Sequence, residues 1–192
     1  MEEKKGLPIL PFESARAWES WLSEHHLSSR GLWVKIARKN AGIPSVNYDE
    51  LVEVALCYGW IDGQAGGYDD SYWLQRFTPR GPRSKWSKIN RAKAGKLIES
   101  GKMQPAGLEA IERAKLNGTW EQAYDPQSSS PMPDDLRAAL DANPDAAAFF
   151  ETLNASNRYA IHYRVHDAKR PETRARRIAQ LVEMLSRGEK LH

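Results

Sequence analysis

Trp60-Ile61-Asp62-Gly63-Gln64-Ala65, Gly66-Gly67-Tyr68-Asp69-Asp70 and Tyr72-Trp73-Leu74-Gln75-Arg76-Phe77-Thr78 read in order as strand, turn and strand. The glycines and aspartates between the two runs suit a hairpin loop. Thr78-Pro79-Arg80-Gly81-Pro82-Arg83 then has to be a loop, because two prolines break helix and sheet alike. Upstream, Gly31 to Arg38 alternates apolar and polar residues at its centre, the period of a half-buried strand. Pro8 to Phe12 is a short extended piece, and Ser14 offers an N-cap to a helix over Ala15 to His26, where Trp18, Trp21 and Leu22 recur at helical spacing. Asn47 opens a second helix, with Asp49 and Glu50 at its positive end and Gly59 as its stop. Downstream, Ser87 caps a helix to about Ser100, and Pro105 starts another that runs through Lys115. These elements predict an α+β fold: a small antiparallel sheet with packed helices, segregated rather than alternating.

Asp125-Pro126-Gln127-Ser128-Ser129-Ser130-Pro131-Met132-Pro133 has no periodicity and the composition of a linker. Everything after it looks helical. Leu136 and Leu140 lie one turn apart, Ala146 to Leu153 and Ala155 to Asp167 follow, and Ile178, Leu181, Val182 and Leu185 give a last helix one apolar stripe, with its arginines facing away. The organisation expected is an α+β domain over 1–122, a Ser/Pro-rich linker over 123–133 and a helical C-terminal region over 134–192.

The chain has 192 residues, of which 41% are hydrophobic, with seven tryptophans and a formal charge of +3, which excludes a disordered chain. Its charge is unevenly spread. Arg76, Arg80, Arg83, Lys85, Lys88, Arg91, Lys93, Lys96 and Lys102 face Glu99 alone between positions 76 and 102. Met1-Glu2-Glu3-Lys4-Lys5-Gly6 is charged and precedes no apolar run, and no segment reaches the roughly 18 apolar residues of a membrane span, so a cytoplasmic protein is expected. The single cysteine, Cys57, forbids an intrachain disulfide and reads as a buried small hydrophobe.

Four motifs, Cys57-Tyr58-Gly59-Trp60-Ile61-Asp62-Gly63, Arg76-Phe77-Thr78-Pro79-Arg80, Trp86-Ser87-Lys88-Ile89-Asn90 and Ala168-Lys169-Arg170-Pro171-Glu172-Thr173-Arg174, resemble the bacterial YdeI/OmpD-associated, or bacteriocin-protection, family. The resemblance spans nearly the whole chain. It implies a link to tolerance of antimicrobial peptides or envelope stress and implies no established reaction.

The segment from Tyr72 to Arg91 mixes aromatic and basic side chains. Its cations do not go inside unpaired, and its aromatic rings carry large apolar area, so together they are expected to hold a ligand. Arg76, Arg80, Arg83 and Lys85 would supply charge, Trp60, Tyr72, Trp73 and Trp86 the walls, and Asn90 a further contact, with Asp62 pairing Arg76 or Arg80 to orient it. The ligand expected is an anionic small molecule held by a non-enzymatic binding protein. Two alternatives stay open: nucleic acid on the same basic face, or an enzyme with an aromatic pocket lined by Asp62. The competing reading places Trp73, Phe77 and Trp86 in the core under a solvated cationic face.

No glycine-rich nucleotide loop, serine elbow or carboxylate pair is present, so neither catalytic residue nor cofactor is assigned. Tyr159, His162, Tyr163 and His166 share one helix face; packing against the last helix explains that spacing, and no metal site is assigned. A protein partner stays possible, and the oligomeric state is not legible.

Overall fold

The computed structural model describes residues 2–126 and 131–191. The chain folds into two compact units, Met1–Ala123 and Tyr124–His192. Gln127 to Ser130 of the expected linker lie outside the described residues.

In the first unit the chain runs β1 (Glu3–Lys4), β2 (Leu7–Pro11), α1 (Ala15–His25), β3 (Leu32–Ala37), α2 (Tyr48–Cys57), β4 (Trp60–Gly67), β5 (Tyr72–Pro79), α3 (Lys88–Glu99) and α4 (Pro105–Leu116). The caps explain where the helices begin. Ser14 Oγ accepts from Ala17 N at 3.3 Å, and Ser87 Oγ from Asn90 N at 3.1 Å. Asn47 and Glu50 form a reciprocal capping box at α2. Gly59 ends α2 at φ +70°, a left-handed conformation that a Cβ disfavours.

The fold is α+β, and its five strands lie in the order β1-β2-β3-β5-β4. The sheet is mixed rather than wholly antiparallel, because β2 pairs parallel to β3, with Ile9 opposite Trp33. A parallel neighbour requires a crossover, and α1 supplies it, so one β-α-β unit stands where segregated elements were expected. β4 and β5 form the expected hairpin, whose loop is tied by Asp69 Oδ1 accepting from Ser71 N at 2.8 Å and Tyr72 N at 2.7 Å. A bulge between Asp62 and Ala65 inserts one residue into β4. Buried Gln75 answers it, donating through Nε2 to Gly63 O at 2.8 Å.

Alternation gives the sheet two faces. Leu32, Val34, Ile36 and Phe77 belong to the main core with α1, α2, α3 and α4 residues, while Ile9, Trp33 and Leu74 form a separate small cluster with Leu7 and Tyr68. Only strand and hairpin-loop residues build that second cluster. In the main core Trp18 is fully buried, donates to Leu51 O at 3.1 Å and packs against Phe12, Trp21, Phe77 and Trp60.

The second unit contains α5 (Asp134–Asp141), α6 (Pro144–Thr152), α7 (Ala155–Asp167) and α8 (Pro171–Ser186). Leu136, Leu140, Phe150, Ile161, Val165, Ile178, Leu181 and Leu185 fill its core. The arginines of α8 do not all face away. Arg174 grips Asp135 with two bonds, 2.5 Å and 2.8 Å, and its Nη1 donates to Val165 O at 2.8 Å, joining α8 to both α5 and α7.

That grip sets an acid limit. The Arg174 hydrogen bond, although opposed by partial desolvation, holds the Asp135 carboxyl below its ordinary range. A carboxyl whose folded pKa is depressed contributes stability that is complete above its unfolded value and is lost as pH falls through the folded one. Asp135→Asn is therefore expected to cost under about 1 kcal/mol at neutral pH, since the pair is partly exposed. As pH falls from about 4, the unfolded value, through the lower folded one, the variant and the parent should converge, as read by far-ultraviolet circular dichroism during acid titration. A difference that persists once acid has protonated the carboxyl in the folded state as well would show that packing and not ionisation is responsible.

Candidate functional site

The structure divides the expected site residues among three places. Trp60 and Trp86 are 1% and 2% exposed, and Trp86 lines, with Arg80, a recess of only about 10 Å³. Trp60 is a core indole, its Nε1 donating to His26 O at 3.2 Å and its ring edge-on to Trp18 and Trp21. Trp86 is covered by Trp120 at 4.8 Å on one side and by Arg80, whose guanidinium carbon stands 3.7 Å from the ring centroid.

Arg80 is itself only 6% exposed, and this is the largest departure from the sequence reading. Its Nη1 donates to Lys85 O at 3.1 Å, closing the loop between β5 and α3 over its own side chain. Arg113 donates to Arg80 O at 3.4 Å, and Asn117 donates to Pro82 O at 2.7 Å, so α4 clasps the same loop. Arg-on-indole stacking with internal carbonyl acceptors is an architectural use of arginine. Arg83 and Lys85 lie on the exposed outer side of that loop, and Asn90 is half-buried in the first turn of α3.

Asp62 and Trp73 meet Tyr48 at the start of α2. The Tyr48 hydroxyl donates to Asp62 Oδ2 at 2.8 Å, and the Tyr48 and Trp73 rings lie 6.2 Å apart. Asp62 stands opposite Phe77, on the helix side of the sheet. Arg76 is the next residue back along β5 and points to the other side, and Arg80 is turned over Trp86. The expected pairing of Asp62 with Arg76 or Arg80 is therefore replaced by the tyrosine contact.

Arg76 and Tyr72 fall on the strand-built face, where they meet residues the sequence reading passed over. Arg76 is the cross-strand partner of Trp33, and Tyr72 that of Ala37. Lys35 extends between two rings, its Nζ 4.1 Å from the Tyr68 centroid and 4.5 Å from that of Tyr72. Lys4 Nζ lies 4.8 Å from the Trp33 ring. Partial desolvation pulls the Lys35 pKa down, but the Tyr68 hydroxyl and the charges of Asp69 and Glu2 outweigh it, and the net shift is upward. The ammonium therefore stays charged at neutral pH.

One atom on this face is unaccounted for. Arg76 Nε is sealed from solvent and has no hydrogen-bond partner among the described residues. Buried donors are almost always satisfied, and leaving one unmade is unfavourable. The alternation Leu32-Trp33-Val34-Lys35-Ile36 already placed Trp33 and Lys35 on the side opposite Leu32, Val34 and Ile36. Nothing in Glu2-Glu3-Lys4 signals that this short terminus crosses the same face.

Elsewhere the titratable groups read as structural. Burial pushes the Cys57 thiol up to about 11, with Glu19 adding to the shift, so it is protonated and unreactive at neutral pH. The α7 stripe meets the segment before α5 as well as α6 and α8: Tyr159 donates to Asp125 O at 3.3 Å, Tyr163 meets Tyr124 edge-on at 5.2 Å, and His162 stacks on Phe150 at 6.0 Å. The stripe, Tyr124 and Asp125 line a cavity of about 180 Å³ with Pro131, Pro133 and Arg174. Desolvation, chiefly, raises Tyr159 to about 12 and lowers His166, to which Lys169 also contributes. Among the described residues no three His, Cys, Asp or Glu side chains are grouped to hold a metal ion. No helix of the described residues is long and apolar enough to cross a membrane.

No curated protein and no solved structure matches the chain. Two family models do, and they divide the motifs between them. The bacteriocin-protection, YdeI or OmpD-associated model matches residues 129–188, which contain Ala168 to Arg174 but not the three motifs of the first unit. Those three lie within residues 10–110, which match a domain of unknown function. The resemblance to the YdeI/OmpD-associated family is thus present and concentrated in the C-terminal region. With more than half of its length matched by that other model, the chain belongs to the family described as Domain of unknown function (DUF8412), and it carries a bacteriocin-protection, YdeI or OmpD-associated region behind it.

Proposed function

We propose that this chain is a non-enzymatic, cytoplasmic binding protein of the bacteriocin-protection, YdeI or OmpD-associated type, and that its ligand is an anion held on the strand-built face by Arg76, Lys35 and Lys4. The observation that carries the reading is Arg76 Nε, a buried donor without an acceptor among the described residues, on the same sheet face as an ammonium framed by two tyrosine rings. An anionic oxygen would complete the guanidinium, and charge-assisted bonds of this kind are about twice as strong as neutral ones. Protection against bacteriocins would then follow indirectly, through the ligand that the protein senses or sequesters inside the cell.

Thermal unfolding of the full chain tests this directly. All seven tryptophans lie at or before Trp120, so indole fluorescence reports the first unit alone. At a hundredfold excess over Kd a ligand specific for the folded state adds about 2.7 kcal/mol to stability. Inorganic phosphate, octanoate and a short oligothymidylate form the panel. At least one should raise Tm in the parent and leave Arg76→Met and Lys35→Met unmoved. A panel without effect, or a shift of equal size in both variants, removes the anion site from this face. Oligothymidylate binding whose log–log salt slope spans several units would assign the face to nucleic acid instead.

A further inference from the structure

The strand-built face is more than a set of charges. Arg76 stands directly across the strand pair from Trp33 and two residues from Leu74 on the same side, and Ile9 is the Trp33 partner on the other flank. Cross-strand neighbours of this kind have Cβ atoms about 4.5–5.5 Å apart. Arg76, whose Nε is sealed, therefore shares this face with the apolar cluster of Ile9, Trp33 and Leu74, flanked on its other side by Gly63. A cation with an unused donor beside an apolar floor is complementary to a molecule with one anionic end and one apolar end.

What covers this cluster is slight. β1 is two residues long and reaches β2 through the turn at Lys5 and Gly6, both at positive φ. It is fastened across the face by Trp33 Nε1 donating to Lys4 O at 2.8 Å, by the Tyr68 hydroxyl donating to the Glu2 carboxylate at 2.7 Å, and by Lys5 Nζ donating to Gln64 Oε1 at 3.0 Å. Lys4 Nζ reaches as far as Gly66, where an added Cβ would stand 2.9 Å from it. Two of these three side-chain fastenings are exposed; β1 is held besides by its two-residue antiparallel pairing with β2 and by Ile9 N donating to Glu2 O at 2.8 Å, and so short an edge strand opens at lower free energy than the core unfolds.

We infer that β1 is a strap over a site for an anionic amphiphile, a medium-chain carboxylate or alkyl phosphate monoester, whose head is taken by Arg76 and whose chain lies on Trp33, Leu74 and Ile9. The inference rests on the reading of this face as an anion site and adds what the anion must be attached to. When the strap lifts, Lys4 leaves the Trp33 ring and the indole face becomes contact surface for the chain. Lys35, held between Tyr68 and Tyr72, remains to neutralise the second charge of a phosphate head.

Calorimetric titration of the full chain with octanoate, methyl octanoate and inorganic phosphate decides the matter. Octanoate should bind and its uncharged ester should not. Arg76→Met should weaken octanoate about tenfold or more, the size expected for loss of one charge-assisted hydrogen bond, and Arg76→Lys should recover part of the loss. Tyr68→Phe frees Glu2, raises the open fraction and should tighten octanoate several-fold, because apparent affinity scales with the competent population. Circular dichroism and tryptophan fluorescence establish that each variant is folded, and a nuclear Overhauser contact between the octanoate chain and the Trp33 ring locates the ligand. Phosphate binding that depends on Arg76, with no octanoate binding, overturns the amphiphile while leaving the anion site in place. Absence of both overturns both. Octanoate binding indifferent to Arg76→Met, or Tyr68→Phe without effect on affinity, rules out this head site or this strap.

Discussion

Gly107→Ala should destabilise the first unit by about 3 kcal/mol or more, at or beyond the upper end of the usual range for overpacking a core. An added Cβ at this buried position would stand 2.4 Å from Cys57 O and 2.7 Å from Leu56 O, with Met103 Sδ also at 2.4 Å. The methionine can swing away. The two carbonyls cannot, because they belong to the last turn of α2, which α4 crosses at this glycine. Gly59 meets the same helix from the other side: its Cβ would lie 2.6 Å from Ala106 O. α2 packs against α1, α3, α4 and β4, so pushing α4 away from it disturbs the packing of the whole helical layer. A typical domain has only about 5–15 kcal/mol in total. Urea denaturation followed by tryptophan emission should show a lower midpoint with an unchanged slope. A midpoint within error of the parent would mean that the two helices slide apart freely, and the close crossing would then carry no stability.

Trp18→Ala is the second large effect, about 3–5 kcal/mol on the scale of buried aromatic truncations. The indole is fully buried, with Phe12, Trp21 and Phe77 at 5.0, 5.5 and 5.6 Å between ring centroids. It also links α1 to α2 through its bond to Leu51 O, so truncation opens a cavity and loses a buried hydrogen bond together. Trp18→Phe keeps most of the packing and should cost roughly half as much. Equal losses for the two variants would place the energy in the hydrogen bond rather than in the ring. Octanoate and phosphate should still bind the folded fraction of either variant, since Trp18 lies on the helix side of the sheet.

The two substitutions differ in how far the sequence announces them. Trp18, Trp21 and Leu22 recur at helical spacing, and that period alone places them on one buried face. Gly107 gives no such sign, because a glycine inside a helix reads only as a weak helix former. Its role comes from the backbone of Leu56 and Cys57, far away in the chain.

The candidate site shows the same division more sharply. Arg76, Arg80, Arg83 and Lys85 form one cluster along the chain, and in space they do not form one site. Strand alternation sends Arg76 to the strand-built face, away from Trp73 and Asp62. Arg80, after the proline that ends β5, folds back onto Trp86 and becomes part of the interior. Its burial against an indole, with the Lys85 carbonyl as acceptor, was not legible, because the Trp86 ring offers its face only once α3 and α4 are packed. The competing core reading of Trp86 was the right one for that residue. Lys35 was legible in period but not in purpose, since the tyrosines that frame it come from the other end of a hairpin.

From the amino-acid order alone came the local structure: the caps at Ser14, Asn47 and Ser87, the helix stop at Gly59, the β4–β5 hairpin and the four C-terminal helices. Each of these depends on interactions within a few residues, and short-range propensity is written directly into sequence. Tertiary structure alone decided the parallel pairing of β2 with β3, the close crossing at Gly107, the inward turn of Arg80 and the placing of Arg76, Lys35 and Lys4 on one face. Most of those contacts join residues far apart in the chain, and even the near one between Arg80 and Trp86 depends on α4 and Trp120 closing round it, so their energies exist only after the sheet and helices have docked.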